Sequence, residues 1–146
     1  MHLVDTNVIS ELRKAKAGNA DKNVVRWASS VPETGLFLSV ISLMELEVGV
    51  QRMERRDPGQ GKALRVWLEQ QVLPFFSDRI LAVNIDVARR CTRLHVPNRL
   101  PDRDALIAAT ALVHSLTVVT RNTGDFEPAG VPLLNPWDGG LSANNL

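Results

Sequence analysis

"DRDALIAATALVHSLTVVTRNTGDF", residues 102–126, decides the fold. From Asp102 to Leu116 the segment is apolar nearly all round the helical turn, so the spacing predicts a helix that is largely buried. "TVVT" at 117–120 follows at once and reads as a short buried strand, and "RNTGDF" at 121–126 reads as a loop carrying Asp125 beyond it. A buried helix delivering a buried strand is the repeating unit of a parallel sheet covered on both faces.

The same alternation runs through the rest of the chain. "MHLV" (1–4) reads as a strand, followed by a helix with Val8, Ile9 and Leu12 in one stripe. "RKAKAGNA" (13–20) is a basic connection, and Asp21 opens a second helix carrying Val24, Val25, Trp27 and Ala28. After the turn "VPETG" (31–35), "LFLSV" (36–40) is a second buried strand. A third helix is expected from Ser42, with Leu43, Leu46, Val50 and Met53 on one face, broken by "RRDPGQG" (55–61). A fourth runs from about Lys62 to Phe76. "RILAV" (79–83) is a third strand, and its successor helix is expected to turn Val87, Ala88, Cys91 and Leu94 inward with Arg89, Arg90 and Arg93 on more polar faces. "HVPNRLP" (95–101) is a loop and "VPLLNPW" (131–137) a last short strand. The expectation is one α/β domain over 1–138 and a fraying tail over 139–146.

Length and composition agree. A chain of 146 residues fits one domain with a real core, and 45% hydrophobic against 23% charged residues is a globular balance. The longest apolar stretch, Ala105 to Leu116, is too short to span a bilayer. Asp5 and Glu11 interrupt the N-terminus where a signal peptide would need its apolar run. Cys91 is the single cysteine, which excludes an internal disulfide and a zinc cluster. A cytoplasmic protein is expected, with no membrane partner.

Ligands of open α/β sheets bind outside the carboxyl ends of the strands. Asp5 lies just past the first strand, and Asp125 just past "TVVT", with Thr120 at that strand's end and Asn122 between. Glu45 sits in the first turn of the helix expected after the second strand, so it also belongs to the carboxyl-end side. Asp104 opens the buried helix, which would ordinarily start at the opposite edge of the sheet; residues alone leave its place open. Each acid also has an ordinary explanation. Ser42 and Glu45 fit a capping box, Asp102 or Asp104 a helix-start acid, Asp125 a turn, and Asp86 a helix start that rivals Asp5.

Several carboxylates in one crevice repel one another, and a hard divalent cation relieves that repulsion. With oxygen ligands and no soft ones on offer, Mg²⁺ or Mn²⁺ is the expected ion. Setting four of the 16 acids aside leaves 12 against 17 bases, a surround of about +5. Thirteen of those bases are Arg, whose fork suits phosphate. An acidic centre in a basic surround suits a phosphodiesterase acting on nucleic acid.

"LVDTNVISEL" (3–12), "SLMELEVG" (42–49), "DALIAATAL" (104–112) and "VVTRNTGDF" (118–126), in that order, resemble the signature of PIN-domain nucleases, and among them the VapC-type toxins of toxin–antitoxin pairs. The resemblance extends from about Met1 to Trp137. It implies a doubly wound parallel sheet flanked by helices, and a metal-dependent endoribonuclease with Asp5, Glu45, Asp104 and Asp125 as its acidic quartet. It implies Mg²⁺ or Mn²⁺ on Asp5, Asp104 and Asp125, with Asn7, Thr120 and Asn122 in support, and it brings Asp104 to the crevice. The implied partners are an RNA substrate, a DNA-binding antitoxin and a second copy of the chain. Arg13, Lys14, Lys16 and Arg121 flank the carboxyl-end loops and are candidate RNA contacts. Leu64, Trp67, Leu68 and Val72 on the fourth helix would supply a docking groove or plain core. The alternatives are a PIN nuclease of RNA processing without an antitoxin, a catalytically silent binding module and a phosphotransfer domain. The last would need an acid where Asn7 stands.

Overall fold

The computed structural model describes residues 1–139; of the expected tail, 139–146, all but Gly139 lies outside the described residues. Five strands form one parallel sheet: β1 (His2–Val4), β2 (Leu36–Ser39), β3 (Ile80–Leu81), β4 (Thr117–Val119) and β5 (Leu133–Leu134). Their order is β3-β2-β1-β4-β5, so the chain winds outward from β1 first one way and then the other. The doubly wound topology is therefore as expected, with the reversal falling between β1 and β4. Leu3 pairs with Val118 and Val4 with Val119 across that junction.

The pleat explains why these strands are apolar on both faces. Leu3 and Val118 point to one side, into a core with Ile107, Ala108 and Ala111 of α7 (Asp102–Val113) and Phe126 of α8 (Thr123–Phe126). Val4 and Val119 point to the other, against Val8 and Ile9 of α1 (Thr6–Arg13), Val24 of α2 (Lys22–Ser30), and Leu46 and Val50 of α3 (Val40–Arg56). α6 (Ile85–Leu94) forms an outer layer on α7 through Val87, Cys91, Ala105 and Ala109. Of the residues expected inward on α6, Ala88 is exposed: the helix packs chiefly on α7, and its buried stripe is narrower than the apolar pattern.

Several boundaries differ from the sequence expectation: the expected loop 121–126 holds α8, and β3 and β5 are shorter than their apolar runs. α3 starts at Val40, because the Ser39 hydroxyl caps it by accepting from the Ile41 amide at 3.0 Å. Ser42 is thus inside the helix, 1% exposed with its hydroxyl unpartnered, and the capping-box reading of Ser42 and Glu45 falls. The segment "RRDPGQG" is a corner and not a loop. Asp57 ends α3 and caps α4 (Pro58–Trp67), its carboxylate accepting from the Gln60 amide, and Pro58 takes the first helical turn, where its missing N–H costs nothing. The fourth helix therefore opens at Pro58, ahead of Lys62. It continues through a π-helical stretch, Leu68–Val72, into α5 (Leu73–Phe75). Leu68 and Val72 are core, at 0% and 5% exposed, while Leu64 and Trp67 are partly buried against it.

Candidate active site

The site grows from the end of β1. The Asp5 amide still bonds the Val119 carbonyl, at 2.9 Å, extending the β1–β4 ladder by one rung. The chain then turns into α1, and Asp5 caps it: Oδ1 accepts from the Thr6 amide at 2.8 Å. Its other oxygen, Oδ2, accepts from the Thr120 hydroxyl at 2.8 Å and from Asn7 Nδ2 at 3.4 Å. Thr120 is fully buried, and its one proton and two lone pairs are all engaged, because Oγ1 also accepts from Asn7 Nδ2 (3.2 Å) and the Asn122 amide (3.0 Å). Asn7 Oδ1 in turn accepts from the Arg121 amide at 3.2 Å. Asn7 and Thr120 thus lock the β1 and β4 ends together, and Asn122 joins through its backbone, its exposed side chain making no hydrogen bond among the described residues.

Around this clamp the other acids gather. Asp104, in the first turn of α7, has its carboxyl pushed above the ordinary range by burial first and then by the charges of Asp125, Asp5 and Glu45. Burial likewise raises Asp5, whose hydrogen bonds from Thr120 and Thr6 pull the other way while the Asp125 charge adds to the rise. Asp104 therefore lies within electrostatic reach of Asp125, Asp5 and Glu45, and Asp5 within reach of Asp125. The problem of Asp104 is resolved in space by the turn before α7. His95 Nδ1 accepts from the Leu100 amide at 3.1 Å, and Arg99 pairs with Asp102 at 3.2 Å, which fixes "HVPNRLP" and the helix start after it. Asp102 points to that loop and is largely exposed.

Two residues that the sequence reading passed over belong here. The Thr6 hydroxyl donates to Glu45 Oε1 at 3.0 Å, tying α3 to the β1 end across 39 residues. Arg103 Nη1 stands 3.7 Å from Glu45 Oε2. Thr6 lay within "VDTN", but nothing local says which way its hydroxyl turns. Arg103, wedged between two acids, was the one visible signal.

Of the candidate RNA contacts, Arg13 lies over the Trp67 ring at 5.8 Å and Arg121 over Trp137 at 5.0 Å. Lys14 pairs with Glu11 at 2.9 Å, and Lys16 is exposed with no ion-pair partner among the described residues.

The donor chemistry fits a hard divalent cation: carboxylate oxygens, two of them disfavoured as anions by burial and mutual repulsion. Among the described residues, Asp5, Asp104 and Asp125 have no Lys or Arg in ion-pair contact. Nor do three acidic, His or Cys side chains there close in tightly enough to hold an ion by themselves. An Mg²⁺ ion there would reach the carboxylates partly through its own waters, several of which it keeps. No helix among the described residues is long and apolar enough to cross a membrane.

Comparison with known proteins agrees with this architecture. The toxin FitB of Neisseria gonorrhoeae is 40% identical over 144 residues, spanning 94% of this chain and 99% of that protein. A VapC ribonuclease of Sinorhizobium fredii is 36% identical over 146 residues with the same two coverages. The crystal structure of FitAcB from Neisseria gonorrhoeae superposes with a TM-score of 0.85 at 37% identity, covering 94% of this chain and 99% of its own. The model of the PIN domain matches residues 2–130, and the chain belongs to the PIN-domain family.

Proposed function

We propose that the protein is a divalent-metal-dependent endoribonuclease that hydrolyses RNA phosphodiester bonds as the toxin of a toxin–antitoxin pair. The observation that carries this is the meeting of Asp5, Glu45, Asp104 and Asp125 at the β1–β4 reversal, in a chain of this family. The relatives named as a ribonuclease and as a toxin support the activity and the biological role.

Asp5, Asp104 and Asp125 would hold Mg²⁺ or Mn²⁺, partly through water. When bound, the ion lowers the pKa of water and offsets charge on the phosphate. Thr120, Thr6 and Asn7 keep the Asp5 carboxylate from rotating. Glu45, steadied by Thr6, orients the attacking water and accepts its proton as oxygen bonds to phosphorus. The bond from phosphorus to the 3′ oxygen breaks and that oxygen takes a proton from solvent, leaving a 5′-phosphate and a 3′-hydroxyl. The 2′-hydroxyl is not the nucleophile. His95, the histidine beside α7, is turned to the Leu100 amide and is not available as a base for such a step.

The test is cleavage of total RNA by wild type and Asp5→Asn, with Mg²⁺ or Mn²⁺ and with a chelator. Wild type is expected to cut only with metal, and Asp5→Asn to lose most of the activity while still melting cooperatively. Equal cleavage by both would contradict the proposal.

A further inference from the structure

We infer that Arg103 is a phosphate-binding residue for the substrate, offsetting at the rim the negative charge of the acidic centre. The inference rests on the ribonuclease reading and deepens it. Four carboxylates around one divalent ion leave a negative centre, and a phosphodiester entering it meets like charge. Some cation at the rim must offset that repulsion. Among the described residues, Arg103 is the one cation in ion-pair contact with any of the four acids.

Its state is also that of a side chain free to act. Arg65 is committed to three carboxylates, Glu47, Glu54 and Glu69. Arg79 donates to the backbone carbonyls of Glu33, Leu36 and Phe75. Among the described residues, Arg103 makes only the 3.7 Å approach to Glu45, too long for a hydrogen bond, and its side chain is 56% exposed. An exposed pair of this kind is weak, and a phosphate offers the guanidinium fork a bidentate partner. Glu45 has Oε1 on Thr6 and Oε2 toward Arg103. Oε1 stays anchored whichever way the guanidinium turns, and the 3.7 Å approach leaves Arg103 free to turn to a phosphate.

The test isolates Arg103 from its pairing by working on the Glu45→Gln background, where the ion pair is gone and the RNA is not cut. Binding of a fluorescein-labelled single-stranded RNA is read by anisotropy in Mg²⁺ across a salt series. Adding Arg103→Ala is expected to weaken binding about tenfold, the order of one charge-assisted contact, and to lower the salt slope by about 0.7, the value for one phosphate of a single strand. Arg103→Lys is expected to keep most of that slope. Should Arg103→Ala fail to melt cooperatively, Arg103→Gln, which retains the stem, carries the same comparison. Equal affinity and slope with and without Arg103 would overturn the inference while leaving the ribonuclease intact. Failure of wild type to bind or cut RNA at all would overturn the ribonuclease reading, and this inference with it.

Discussion

Asp5 does two things at once: it caps α1 through Oδ1 and presents a carboxylate beside Asp104 and Asp125. The cap alone would make it an ordinary helix-start acid, worth about 1 kcal/mol. What the cap does not explain is Thr120, a fully buried hydroxyl aimed at the second oxygen from 115 residues away. The two raised carboxyls carry a consequence for pH. The folded chain holds the Asp5 and Asp104 protons more tightly than the unfolded chain does. The stability they contribute is therefore present below the ordinary carboxylate range and is lost as pH rises through the raised values. Above those raised values, without metal, both anions oppose folding. Carbon NMR of the carboxyl groups in metal-free protein should find Asp5 and Asp104 titrating above the usual Asp range. Midpoints at or below that range would remove the repulsion on which the metal argument depends.

Among the elements, the α3–α4 corner shows what apolar periodicity does not reveal. The pattern correctly gave two helices and a break. The break contains no loop, because Asp57 serves both helices and Gly61 lets them cross at contact distance. A Cβ on Gly61 would stand 2.4 Å from the Glu54 Cα and 2.7 Å from its amide nitrogen, and backbone cannot step aside cheaply. Gly61→Ala is accordingly expected to destabilise the protein by about 1–3 kcal/mol in urea unfolding, the usual cost of overpacking. An unchanged midpoint would mean that α4 can slide on α3. The Arg65 fork to Glu47 and Glu54 spans the same corner from the surface, where such pairs add little. Strands were legible as apolar runs, but their ends were not: β3 and β5 pair over two residues each, and Val40, read as strand, is already helical. The reason is that apolar residues serve a buried strand and a buried helix start equally well, and the Ser39 hydroxyl decides between them.

For the molecule as a whole, the doubly wound sheet converts four distant acids into neighbours. Asp5 and Asp125 follow adjacent strands, which is legible once β1 and β4 are taken to pair. Glu45 falls on the same side because it opens the helix after the second strand, whereas Asp104 is not placeable from residues alone. Glu45 looked like half of a capping box until Ser39 proved to be the cap, and Asp104 needed the turn held by His95 and Leu100 to reach the right edge. Resemblance to a family supplied what spacing did not, since order along the chain carries no information about which side of a sheet a helix begins on. The central claim is that these carboxylates share one cation. Its most direct test is Mn²⁺ titration of the protein followed by electron paramagnetic resonance, on wild type and on Asp5→Asn, Asp104→Asn and Asp125→Asn. Saturable binding is expected in wild type, weakened roughly tenfold or more by each substitution. Three variants that bind Mn²⁺ as tightly as wild type would contradict it.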